Sequence, residues 1–122
     1  MNMTYTAAKT CNRIMLILAD HVGRENALPR AEVERLLKVH WIDTGDRKIR
    51  EAYSAIPIGS CEKGLYTIGS YDDIMDCERY WRPHMSVELL TERVLRLKIM
   101  YPQFVPVSGQ EQLPLFGEEA RT

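Results

Sequence analysis

Asp46-Arg47-Lys48-Ile49-Arg50-Glu51-Ala52, and a few residues later Pro57-Ile58-Gly59-Ser60-Cys61-Glu62-Lys63-Gly64-Leu65-Tyr66, is the stretch on which the fold turns. Asp46 suits the first turn of a helix, where a carboxylate meets the positive end of the macrodipole, and Thr44 just before it is a candidate N-cap. With Ile49 at the centre of the inward face, Ala52, Tyr53 and Ile56 fall beside it at helical spacing. Arg47, Glu51 and Ser54 then turn outward, with Lys48 and Arg50 on the flanks. The helix is expected to end near Ala55. Residues 56–60 and 65–68 read as two short strands joined by the glycine-containing turn 61–64, which makes a β-hairpin.

Working outward, residues 6–22 carry Ala7, Ala8, Cys11, Ile14, Met15, Leu18 and Val22 at three- and four-residue steps, the mark of an amphipathic helix. Gly23 and the polar Arg24-Glu25-Asn26 break that pattern. Pro29 stands where a first helical turn tolerates it, because its missing N–H would be unpaired there. A second helix follows to about Val39, burying Ala31 or Val33, Leu36 and Leu37. Beyond the hairpin, Ser70 with Asp72 and Asp73 is a capping signal that predicts a helix from Tyr71. Its helical spacing continues through Ile74, Cys77, Trp81, Met85, Leu89 or Leu90, Val94, Leu97 and Met100. Pro83 must kink that helix or split it, since it removes a hydrogen bond and clashes with the preceding turn. Pro102 stops the helix, and 102–110 reads as an irregular linker. The fold class is therefore mainly α with a small β-hairpin (α+β).

Helix, helix, helix, hairpin, in that order over 6–68, resembles the winged helix-turn-helix superfamily. Residues 46–52 are similar to the start of the recognition helix in small bacterial and phage winged-helix proteins, and 57–66 to their wing. The resemblance implies a winged-helix domain at 1–69, with three helices plus wing, followed by a long or kinked C-terminal helical extension at 70–101. It further implies that the third helix enters the major groove of double-stranded DNA. Arg47, Lys48, Arg50 and Ser54 would meet phosphates and base edges, and Lys63 at the wing tip the backbone or minor groove. Thr44 would add a phosphate contact through its hydroxyl and neighbouring amides. The competing reading is an ordinary solvated helix face, with Asp46 and Glu51 paired locally against Arg50 and Lys48. Net charge is −1, so DNA binding has to come from a local patch.

The segment 102–122 is expected to be a flexible tail, and it contains Gln112-Leu113-Pro114-Leu115-Phe116. This resembles the glutamine-leucine-x-leucine-phenylalanine pentapeptide by which bacterial polymerases and repair proteins bind the sliding clamp, the polymerase III beta subunit. Only Pro114 departs from the usual serine or aspartate at the variable centre. The resemblance implies that Leu115 and Phe116 enter an apolar pocket with Leu113 beside them, while the Gln112 amide satisfies polar groups at the rim. A lone peptide of this kind binds at about the micromolar level. The linker would reach ~30 Å at full extension, leaving the globular part free to sit on nearby DNA. The competing reading folds Leu113, Leu115 and Phe116 back over the chain's own core.

The rest of the chain argues against other classes. The longest apolar stretch is broken by Asp20 and His21 well short of the ~20 residues of a membrane span, and 1–10 lacks the pattern of a signal peptide. Three widely spaced cysteines, Cys11, Cys61 and Cys77, fit free thiols in a reducing compartment. A cytoplasmic, nucleoid-associated protein is expected. Neither a metal site nor another cofactor is expected, since Cys77 and His84 have no paired ligands nearby. Asp72, Asp73, Asp76 and Glu78 suggest helix capping before a metal nuclease. His21, His40 and His84 are isolated, Cys61 has no base beside it, and Tyr80-Trp81 reads as packing, so the chain is not expected to be an enzyme. The apolar excess of 71–101 fits either a symmetric homodimer or a cap on the core. The expected function is DNA binding with clamp docking, in phage or mobile-element replication, repair or its regulation. Its alternatives are a protein-only adaptor or clamp competitor, and a transcriptional regulator whose tail is structural.

Overall fold

The computed structural model of the protein describes residues 5–107, with side chains from residue 8. Among these residues the fold is mainly helical with one small hairpin: α1 (Tyr5–Ile17), α2 (Arg30–His40), α3 (Asp46–Tyr53), β1 (Gly59–Cys61), β2 (Gly64–Tyr66), α4 (Tyr71–Trp81) and α5 (Val87–Met100). β1 and β2 are antiparallel, with Ser60 opposite Leu65 and Cys61 opposite Gly64, so the turn is only Glu62-Lys63. The segment between α1 and α2 joins the hairpin at its other edge. Leu28 and Leu65 exchange backbone hydrogen bonds at 2.8 and 2.9 Å, and Val22 bridges Thr67 in parallel.

Two apolar cores lie on opposite sides of this small sheet. Cys11, Ile14 and Leu18 of the first helical segment, Val33 and Leu37 of α2, and Ile49 and Ala52 of α3 form the first, closed by Ile58 and Leu65. Tyr66, Ile68 and Cys61 point the other way, into a second core with Ile74, Cys77, Trp81 and Leu97. Adjacent residues of a strand face opposite sides of a sheet, so a hairpin with both faces buried ties the two cores into one body. The face of the hairpin opposite the first core is covered by α4 and α5.

Several element boundaries differ from the sequence expectation. α1 stops at Ile17 and continues as a single 3₁₀ turn, Leu18–Asp20, because Val22 is drawn into its bridge with Thr67. Pro29 caps α2 from outside, Val33 and Leu37 are its buried residues, and Ala31 is exposed. Thr44 does not cap α3. Gly45 takes that position, and α3 ends at Tyr53 rather than near Ala55. Pro83 splits the C-terminal helix: a 3₁₀ turn, Arg82–His84, separates α4 from α5, and the Ser86 hydroxyl starts α5 by accepting a hydrogen bond from the Leu89 amide at 3.2 Å. Capping at Ser70 is as the sequence indicates, with its hydroxyl accepting from the Asp73 amide while Asp73 Oδ2 accepts from the Gly69 amide at 2.8 Å. The first part of the expected linker is structured. Pro102–Phe104 forms a 3₁₀ turn, and Phe104 stacks on Tyr101 against the second core.

Cys11, Cys61 and Cys77 are buried thiols, none of them in a disulfide. Cys61 is therefore part of the second core and not of an open turn. Cys77 Sγ lies 3.2 Å from the Tyr66 hydroxyl and accepts from the Ser60 amide at 3.3 Å. Burial pushes the Cys77 thiol up from 9.0 to about 11 and raises Tyr66 in the same direction. A group whose folded pKa is raised stabilises fully below its unfolded pKa and loses that contribution as pH climbs through the folded value. Folding stability should therefore fall between pH 9 and pH 11, by on the order of 2 kcal/mol for Cys77. Urea unfolding at pH 8, 9.5 and 11 checks this, and Cys77→Ala should shallow the slope whatever its effect at pH 8.

Candidate nucleic-acid interface

α3 is a short helix with a sharply divided surface. Ile49 and Ala52 are buried against α1, and the opposite edge carries Arg47 and Arg50, both exposed. The corner before it is set from α1. Arg13 donates to Asp43 Oδ1 and to Thr44 Oγ1, each at 3.1 Å, and its guanidinium stacks 5.2 Å from the Trp41 ring centroid. One cation on α1 thus fixes the α2–α3 loop and with it the direction in which α3 leaves.

The expected contact residues separate on this frame. Arg47 is available, its side chain 86% exposed and paired with Glu51 at 3.5 Å. Arg50 is also exposed, and Asp46 beside it is engaged by Lys38 of α2 at 2.7 Å. That pairing holds the Asp46 carboxyl below its usual range, so Lys38 offsets the one acid at the start of α3. The local pairs are thus Arg47 with Glu51 and Lys38 with Asp46, where the sequence suggested Asp46 and Glu51 against Arg50 and Lys48. Lys48 is half-buried and donates to the Asp43 carbonyl at 3.0 Å. Ser54 is exposed, but its hydroxyl donates to the Glu51 carbonyl at 2.8 Å and its own carbonyl accepts from Arg96.

Thr44 leaves the set. It is 2% exposed and its hydroxyl is occupied by Arg13, so it cannot reach a phosphate. Lys63 is exposed at the hairpin tip, but in different company. The tip borders a hollow of about 560 Å³ where Glu25, Glu62, Asp72, Asp73 and Asp76 outnumber Arg24 and Lys63. Arg24 is spent on Glu62 at 3.0 Å, and Asp76 pairs with Arg79. Those carboxylates reduce the attraction of Lys63 for a backbone phosphate. Sequence reasoning missed Arg13 and Lys38, the two cations that shape the face without lying on it. Helical periodicity marks which side of a helix is buried, but not which partner a long cation reaches.

Among the described residues no group of three or more His, Cys, Asp or Glu side chains is placed to hold a metal ion, and no helix is long and apolar enough to cross a membrane. The pentapeptide Gln112, Leu113, Pro114, Leu115 and Phe116 lies outside the described residues. A comparison with family models, with curated proteins and with solved structures finds no match to the chain, so its function has to be read from its own residues.

Proposed function

We propose that the protein is a non-enzymatic winged-helix DNA-binding protein that docks on the bacterial sliding clamp through Gln112-Leu113-Pro114-Leu115-Phe116. The observation that carries the DNA half is the division of α3 into a buried edge, Ile49 and Ala52, and an exposed cationic edge, Arg47 and Arg50. The element order supports the winged-helix reading: three helices, then a hairpin, with the segment before α2 added to the sheet beside β2 at Leu28. Arg47 and Arg50 supply the phosphate and base-edge contacts, with Lys48 and Ser54 in supporting places and Lys63 at the margin. The clamp half rests on the pentapeptide. With residues 102–104 folded against the second core, the chain between Val107 and Gln112 reaches at most ~18 Å. The clamp then sits close to the α5 end of the body.

Electrophoretic mobility shift on a random-sequence duplex at low salt tests the first half. Arg47→Ala with Arg50→Ala should weaken binding about tenfold or more and reduce the salt slope by about 2, one for each lost phosphate contact. Pulldown of purified clamp tests the second. The whole chain should retain it, and a chain ending at Gln110 should not.

A protein-only adaptor remains the second reading, because the α2–α3 corner exposes Ile42 at 93% and Val39 at 58% beside charges that are already paired. On that reading the duplex is not shifted at any salt, and Ile42→Ser abolishes partner binding while clamp capture persists.

A further inference from the structure

Where the two cores meet, three arginines converge on one cavity. Arg30 opens α2, and Arg93 and Arg96 lie three residues apart on the same face of α5. With Tyr53, Ser60 and Trp81 and a set of aliphatic side chains they line a space of about 90 Å³, and no carboxylate is among the lining residues. Arg30 stacks 4.8 Å from the Tyr53 ring centroid and Arg93 5.6 Å from that of Trp81. Arg96 is held by the Ser54 carbonyl at 3.0 Å and by Glu92 at 3.3 Å, a carboxylate on the exposed side of α5. Glu34, the other acid nearby, is engaged by the Tyr53 hydroxyl.

This arrangement is costly as it stands. Arg93 Nε is buried without a hydrogen-bond partner. Burial, and after it the positive charge of Arg96 and Arg30, lowers the pKa of Arg93 below that of an ordinary arginine. Like charges beside aliphatic walls are only partly screened by solvent, and a buried donor left unpaired is unfavourable. A guanidinium fork matches the oxygens of a tetrahedral oxyanion, and an anion held among the three arginines would cancel their repulsion. The volume is that of about three waters, which suits one such group and excludes a whole nucleotide.

We propose that the Arg30–Arg93–Arg96 cavity binds a phosphate-class oxyanion, locking α5 onto the α2–α3 unit. The source is either free inorganic phosphate or a single phosphate of a nucleic-acid backbone, and the chemistry of recognition is the same.

Thermal unfolding of the full chain in potassium phosphate, against potassium chloride of equal ionic strength and pH, tests it. The wild type should gain ~5 °C with a response that saturates. Arg93→Met and Arg30→Gln should keep only the small, linear, salting-out part. In chloride, Arg93→Met should melt at or above the wild type, because a repelling cation has gone. Arg30 is exposed, so its variant folds even if Arg93→Met does not. Equal phosphate responses in the wild type and Arg30→Gln would overturn the proposal. So would an Arg93→Met protein that melts lower in chloride yet keeps the full phosphate gain, which marks the Trp81 stack as merely structural. A second arm separates the sources. Phosphate that displaces a bound duplex from the wild type at constant ionic strength, and not from Arg30→Gln, identifies a backbone phosphate. Phosphate that stabilises the protein and leaves the duplex in place, or stabilises a protein that shifts no duplex, identifies the free ion.

Discussion

A chain cut after Gly69 should show no cooperative melting transition, although the first three helices and the hairpin would all be present. Tyr66, at 0% exposure, and its neighbours Ile68 and Cys61 face α4 and α5, and the cut would put all three in water. At roughly 1.5–3 kcal/mol for each apolar side chain, the loss for the three is about 4.5–9 kcal/mol, comparable with the ~5–15 kcal/mol that holds a whole domain together. Polar groups suffer as well. The Tyr66 hydroxyl loses the Asp73 carbonyl, the Ser60 amide loses Cys77 Sγ, and the Pro57 carbonyl loses the Tyr101 hydroxyl. Circular dichroism on heating checks this. A sharp transition with native helix content in the short chain would restore residues 1–69 as a domain and reduce α4 and α5 to an appendage.

That expectation also marks where reading the sequence stops short. Local signals were legible: Ser70 with Asp72 and Asp73 placed the start of α4 at Tyr71, because a cap involves only residues within one turn. The inward edge of α3 followed from its period, and Pro83 announced a break. Whether that break would be a kink or a split depended on Ser86, a cap hidden by the helical spacing that runs on through both sides of the proline. Thr44 looked like a cap because threonine is favoured at that position and Asp46 suits a first helical turn. Its burial depends on Arg13, a partner 31 residues away on another helix. The hairpin was read as an open wing for a similar reason. In strands of three residues, alternation between two buried faces looks much like alternation between a buried and an exposed one.

Gly64→Ala should destabilise the protein by about 4 kcal/mol or more. Two constraints meet at this residue. Its φ of +141° belongs to glycine, and a methyl group there would stand 2.0 Å from the Leu28 carbonyl oxygen and 2.8 Å from Pro29 Cα. That oxygen is the acceptor for the Leu65 amide, at 2.9 Å, and the Leu28 amide returns a bond to the Leu65 carbonyl at 2.8 Å. The methyl group can be accommodated only by moving the 28–29 segment off β2. The movement strains or breaks both bonds beside the buried Leu65, at roughly 1–3 kcal/mol for each buried group left unpaired. Backbone strain adds ~1–3 kcal/mol. Gly45→Ala is the control, since a methyl group there meets nothing within 4 Å and φ is −90°, so its effect should stay under ~1 kcal/mol in either direction. Urea denaturation should show the midpoint of Gly64→Ala falling steeply with an unchanged slope. Because Leu28 and Pro29 lead directly into Arg30, the same displacement should shift the start of α2. A variant stable enough to assay should therefore lose its phosphate-specific gain before it loses clamp capture. Equal midpoints for the two glycine variants would mean that the bridge between Leu28 and Leu65 does not hold α2 to the hairpin.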